Sequence, residues 1–433
     1  MRKGLAVILI AVLACTFLSS IFAEEVVTLK VLNYLDLTYA GADREVKDIW
    51  VAFEKANPNI KVEREDLFNE PFHQKTQAYV ASGQLPDVMF MWPSGRSSSL
   101  HTNHLVKDLK PFLGADAKNF SPAALVPQGG GYLGEIPTGV TATHVLFVNK
   151  KMLGDMGLQI PKTYAQLVSV TKKLKAAGKG SILMGSQDDW VMQSCMFSML
   201  VGRICGDAYV NKLLAGQAKF TDATFVKALQ FYARLYKDGV LDKKNLQTSY
   251  NDVNGIWASG KAPFLVDGDW KVGNFLTDPS TKQALIPVDQ QKNFAMTVFP
   301  RIPGEVIHNS TSVVPGTGYG MSAKIPAGSA KEKAAWKLIS WLVSPEVQKV
   351  RLEIGLTFPS RKGVTSDKLE PLAQERTGFY GKFKGSYVID AVMDPKVYQP
   401  INTGLQEIGL GLATPEQVAE KVQKAFDSWK AQK

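Results

Sequence analysis

The stretch APFLVDGDW, residues 262–270, sets two carboxylates, Asp267 and Asp269, and one indole, Trp270, at the exit of an apolar strand. Acids that bracket a glycine can face one cleft, as a glycosidase requires if its two carboxyls stand roughly 5–9 Å apart with one kept protonated. The same trio also suits a sugar that is held and not cut. An indole covers the apolar C–H face of a pyranose, while carboxylates accept charge-assisted hydrogen bonds from its hydroxyl rim. Two structural roles compete with these: Asp269 as the N-cap of a following helix, and Trp270 as filler of a core.

Other motifs carry less. GIWASGKAP has the glycine and lysine spacing of a P-loop, but Ala262 stands where a serine or threonine would hold the metal. A P-loop also runs from strand to helix, whereas this stretch runs from a helical pattern into a strand. The nucleophile elbow GxSxG is absent. His101 and His104 have helical spacing for two metal ligands without a third nearby, and they read as surface histidines. His144 reads as a structural histidine at the entry to the second half. No metal and no cofactor is expected.

The elements that must position these groups follow from periodicity. LKVLNYL, residues 29–35, alternates as a strand, and 43–55 places Val46, Ile49, Trp50 and Phe53 at helical spacing. Asn57-Pro58-Asn59 breaks that helix. IKVERED then reads as a strand, 71–82 as a helix, and DVMFMW as a third, nearly all-apolar strand. Such alternation predicts a parallel sheet covered on both faces, with ligands beyond the carboxyl ends of its strands. Residues 33–36 and 92–96 then share one rim.

The Gly/Pro-rich PQGGGYLGEIPTG, residues 127–139, leads into a second set: HVLFVNKKML, a helix over 164–177, SILMG, a long apolar helix, a helix over 223–237, and APFLV itself. TVFPRIPG, from 297, marks a further change, followed by VPGTGYGMS, a helix over 331–342 and a mostly helical remainder closing at 415–429. The chain is therefore expected to divide into one α/β lobe of 24–141 with 300–350, and another of 142–299 with 351–433.

A chain of 433 residues, 45% apolar and 21% charged, fits two or three lobes of an ordinary soluble protein. Arg2 and Lys3, an apolar run over 5–18 and Ile21-Phe22-Ala23 form a secretory signal peptide over 1–23, which implies an extracytoplasmic, periplasmic site of action. Lipid anchoring at Cys15 is the alternative. Removing Arg2 and Lys3 takes the formal charge from +10 to +8, and the remaining lysines are dispersed, so nucleic acid is not an expected partner. Cys195 and Cys205 match no zinc spacing; a single disulfide and two buried thiols both remain open.

Several segments together resemble the extracellular solute-binding proteins of sugar ABC transporters, the maltose-binding-protein-like family 1. They are FEKANPNIKV, ASGQLPDVMFMW, LVKDLKPF, FVNKKML with PKTYAQLVSVTKKLKAAG, WASGKAPFLVDGDW, GYGMSAKIPAG with KAAWKLISWLVSPEVQ, and TPEQVAEKVQKAFDSW. They run in the family's order over nearly the whole chain after the signal.

The resemblance implies two α/β lobes that close on a ligand, delivery of that ligand to membrane permease subunits, a monomer, and no catalysis. It maps a sugar-stacking role onto Trp270 and polar or aromatic contacts onto Trp92, Ser94, Arg96, Asp189 and Trp190. Asn33 and Asp36 follow at the first strand's exit, and Thr141, Gly318 and Tyr319 complete the set with Asp267 and Asp269. The acid in Gly268-Asp269-Trp270 and the segment Tyr132-Leu133-Gly134-Glu135-Ile136-Pro137 depart from the family pattern, and both add acceptors. Two alternatives stand: a polyamine or other cationic solute held by Asp267, Asp269, Asp189 and Glu135, and a secreted polysaccharide-acting enzyme.

Overall fold

The computed structural model describes residues 26–432 apart from 38, 40, 94–96, 127–130, 381 and 384. The signal peptide expected over 1–23 lies outside the described residues.

The first sheet has the order Ile60–Leu67, Val27–Tyr34, Val88–Met91, Gly318–Met321, Ile136–Pro137. Its first three strands are parallel, as the alternation predicts, and Gly318–Met321 runs antiparallel to both neighbours. Strand period decides which core each side chain enters. Leu29 and Val31 pack with Trp50, Phe53 and Leu338 on one face, while Leu32 packs with Phe72 and Met89 on the other.

The second sheet has the order Ile182–Leu183, Phe264–Asp267, Val145–Asn149, Phe294–Thr297, and Val145–Asn149 runs against its two partners. Both faces are again buried: Leu146, Val148 and Val266 face the long apolar helices, and Phe147 and Leu265 face Trp257 and Phe275. Local signals start two of the flanking helices, since Thr163 with Gln166 and Thr414 with Gln417 form capping boxes. Among the described residues, no helix is long and apolar enough to cross a membrane.

A three-stranded ribbon links the halves, with Gly139–Thr141 between Val314–Pro315 and Phe358–Pro359. Contacts on either side of it tie the later chain to both halves. Residues 300–313 bond to the second lobe, where buried Arg203 donates to the carbonyls of Phe299 and Pro300 and pairs with Glu305 at 2.6 Å. Residues 351–362 bond to the first, through Arg351 with Glu45 at 2.7 Å and Arg361 with Asp116. These are long-range ion pairs between residues distant in sequence, which neither periodicity nor composition reveals.

Candidate functional site

A cleft of about 580 Å³ is walled by residues of both lobes. From the first come Tyr34, Asp36, Phe68 and Trp92, each at or just past the carboxyl end of a parallel strand. From the second come Asp189, Trp190, Tyr250 and Trp270, and the crossing ribbon adds Thr141 and Pro315.

The second wall is built outward from the strand exit. Gly268 is required there by close approach: a Cβ would lie 2.2 Å from the Trp270 ring, which folds back across it. The partly buried indole sits 6.2 Å from Trp190, and its Nε1–H donates to the Tyr250 hydroxyl at 2.7 Å. Trp190 also meets Tyr250, at 5.1 Å. Beneath them Lys271, fully buried, donates to the Tyr250 carbonyl at 2.8 Å and lies 3.2 Å from the Tyr250 ring centre, a cation–π contact. Burial lowers the pKa of Lys271 and raises that of Asp267, and the two partly offset each other across 3.6 Å.

This arrangement corrects the reading of the two acids. Asp267 and Asp269 are both fully buried and do not line the cleft. Asp269 accepts from Arg376 Nε at 2.7 Å, from the Tyr380 hydroxyl and from the backbone N–H of Ala142 at 3.1 Å. It ties the ribbon to the C-terminal helices and is neither a helix cap by its side chain nor a cleft group. Asp267 accepts from the Gly268 N–H at 2.7 Å and balances Lys271. Neither carboxyl of this exit reaches the cleft.

Other placements divide. Trp270, Trp190, Asp189, Trp92, Asp36 and Thr141 line the cleft, as does Tyr319, although its hydroxyl is spent on Asn33 Oδ1 at 2.7 Å. Asn33 is a correction: strand period turns it into the core with Leu29 and Val31, where it bonds Asp66 and Tyr319. Gly318 is another: it is not among the cleft-lining residues, and a Cβ there would lie 2.4 Å from the Ile136 carbonyl oxygen. Ser94 and Arg96 lie outside the described residues. Glu135 is buried away from the cleft, with one carboxyl oxygen lacking a hydrogen-bond partner among the described residues, and burial pushes its pKa up to about 8. Of the four acids offered to a cationic solute, only Asp189 lines the cleft.

Sequence reasoning missed Tyr34, Phe68, His73, Tyr250, Tyr398 and Asn402. Tyr34 was within reach, because alternation puts it on the face opposite Asn33. Tyr398 and Asn402 share a helix face at i, i+4 within Pro395–Leu410. Nothing in NLQTSYND marks Tyr250. Cys195 and Cys205 are free, buried thiols, and no group of three metal-ligating side chains comes together among the described residues.

Two α/β lobes with an aromatic-walled cleft between them and three crossing strands define a two-lobed ligand-binding protein. The chain belongs to the bacterial extracellular solute-binding protein family, whose sequence profile matches residues 38–349. That membership puts its site of action outside the cytoplasm. It is 23% identical to the multiple sugar-binding protein of Streptococcus mutans, across 81% of this chain and 79% of that one. An uncharacterized ABC transporter extracellular-binding protein of Pyrococcus horikoshii is 21% identical, across 77% and 72%. Among solved structures, a chitin oligosaccharide binding protein superposes with a TM-score of 0.81 at 23% identity, covering 93% of this chain and 99% of that chain. The maltose/maltodextrin-binding domain MalE from Bdellovibrio bacteriovorus gives 0.72 at 21%, covering 94% and 100%. At such identities the structural likeness establishes the fold.

Proposed function

We propose that this protein is the substrate-binding component of an ABC import system, capturing a mono- or short oligosaccharide between its lobes and delivering it to membrane permease subunits, as a monomer and without turnover. The observation that carries this reading is the pairing of aromatic walls, Tyr34 and Trp92 facing the cleft from one lobe and Trp190 and Trp270 from the other. Flat apolar faces on both sides suit stacked pyranose rings, and the carboxylates of Asp36 and Asp189 on the same walls suit their hydroxyls. The cleft volume falls within the roughly 300–1,000 Å³ of small-ligand sites. The names of the Streptococcus mutans relative and of the chitin-oligosaccharide and maltose neighbours point the same way.

Calorimetric titration against neutral oligosaccharides and polyamines, at low and high salt, tests it. Binding of a neutral sugar that is insensitive to salt is the expected result. Salt-sensitive binding of polyamines alone, or release of product from a glycoside, overturns it.

A further inference from the structure

Asn69 and Asp188 belong to different lobes and meet across the cleft, Asn69 Nδ2 donating to Asp188 Oδ1 at 3.0 Å. Both stand at helix starts where such side chains ordinarily cap, and neither caps its own helix. Asn69 precedes Glu70–Ser82, which carries His73 against Trp92. Its backbone is held at φ 56°, ψ −138°, a conformation that favours glycine. A non-glycine residue persists there only when its surroundings over-determine it. The other oxygen of Asp188 accepts the backbone N–H of Tyr250 at 2.9 Å, and the Tyr250 hydroxyl in turn holds the Trp270 indole.

We propose that Asn69 and Asp188 are positioning residues, a clasp that couples closure of the lobes to the placement of Tyr250 and Trp270. Its affinity consequence rests on the sugar-capture reading; its effect on lobe closure does not. One carboxylate serves both bonds, so opening the clasp frees the wall that stacks the ligand from the other lobe.

Polarity makes the test specific. Asn69→Asp sets two carboxylates face to face, whereas Asn69→Asp with Asp188→Asn restores the bond with donor and acceptor exchanged and leaves one oxygen for the Tyr250 N–H. Small-angle scattering of the ligand-free protein should show expansion in the single variant and recovery in the double. For a sugar that the parent binds, the single variant should bind about tenfold more weakly through faster dissociation, the scale of one lost charge-assisted hydrogen bond. Asn69→Gly, which suits the positive φ, should keep or raise the melting temperature while weakening binding, a combination that simple misfolding does not produce. Scattering and dissociation unchanged in Asn69→Asp, or a double variant as impaired as the single one, overturns the clasp. A parent that binds no sugar defeats the capture reading instead, and the scattering comparison still decides the clasp.

Discussion

The two walls of the cleft present similar aromatic surfaces on different foundations. In the first lobe Trp92 is packed among Tyr34, Phe72, His73 and Phe90, with ring centres 4.7–5.3 Å away. In the second, Trp190, Tyr250 and Trp270 rest on a buried charged layer of Lys271 and Asp267. The first wall is held by dispersion and apolar burial, which tolerate small shifts. The second is held by directional bonds that fix each ring's orientation but fail abruptly when one partner is removed.

Replacing Asp269 by Ala should produce the largest effect, stranding buried Arg376. A loss of about 3–5 kcal/mol in urea unfolding is expected, the scale of a buried pair broken on one side. An unchanged unfolding midpoint would mean that Asp269 is not a structural anchor. Trp92→Ala comes next, with an apo-stability loss of about 3 kcal/mol from its packed surroundings, besides lost affinity. Trp270→Ala should reverse that balance: ligand affinity falls by about 2 kcal/mol, while apo stability falls by only about 1 kcal/mol with the bond to Tyr250. Calorimetry and apo melting of these two variants side by side test the contrast, and equal apo losses would erase it.

The last effect, seen only as a slope with pH, concerns an acid buried without the partners that Asp269 has. Burial raises the Glu135 pKa in the folded protein to about 8, above its unfolded value, so the folded state holds the proton longer. The associated stability is complete at low pH and is lost as pH rises toward 8. Burial lowers the pKa of His101 to about 4, and because both proteins carry this histidine its contribution cancels in the comparison. Between about pH 6.5 and 8 the parent should therefore lose about 2 kcal/mol that Glu135→Gln retains. Parallel pH slopes for the two proteins would refute a buried, protonated Glu135.

Legibility followed the range of the interaction. The strand Val27–Tyr34 and the helix Ala223–Lys237 were readable from periods set by local geometry, and Phe264–Asp267 as a short apolar run. The rim carrying Asp36 and Trp92 was readable because ligands gather at the carboxyl ends of parallel strands. Trp270 was singled out because it ends the strand exit 262–270 and because the family resemblance maps a stacking role onto it. Asp267 and Asp269 misled, since an acid at a strand exit has the same appearance whether it faces solvent or a buried cation.

By itself, the sequence determined the alternation of strands and helices, the two-lobed fold and the family, because those rest on hydrophobic periodicity and on short motifs whose physics is local. Only the tertiary structure decided that Arg376 and Lys271 claim the two acids, that Tyr250 joins the wall, and that Asn69 reaches Asp188 across the cleft. Each of those contacts joins residues whose distance in space is fixed by the packing of whole elements, and burial then sets the charge and reach of the side chains involved.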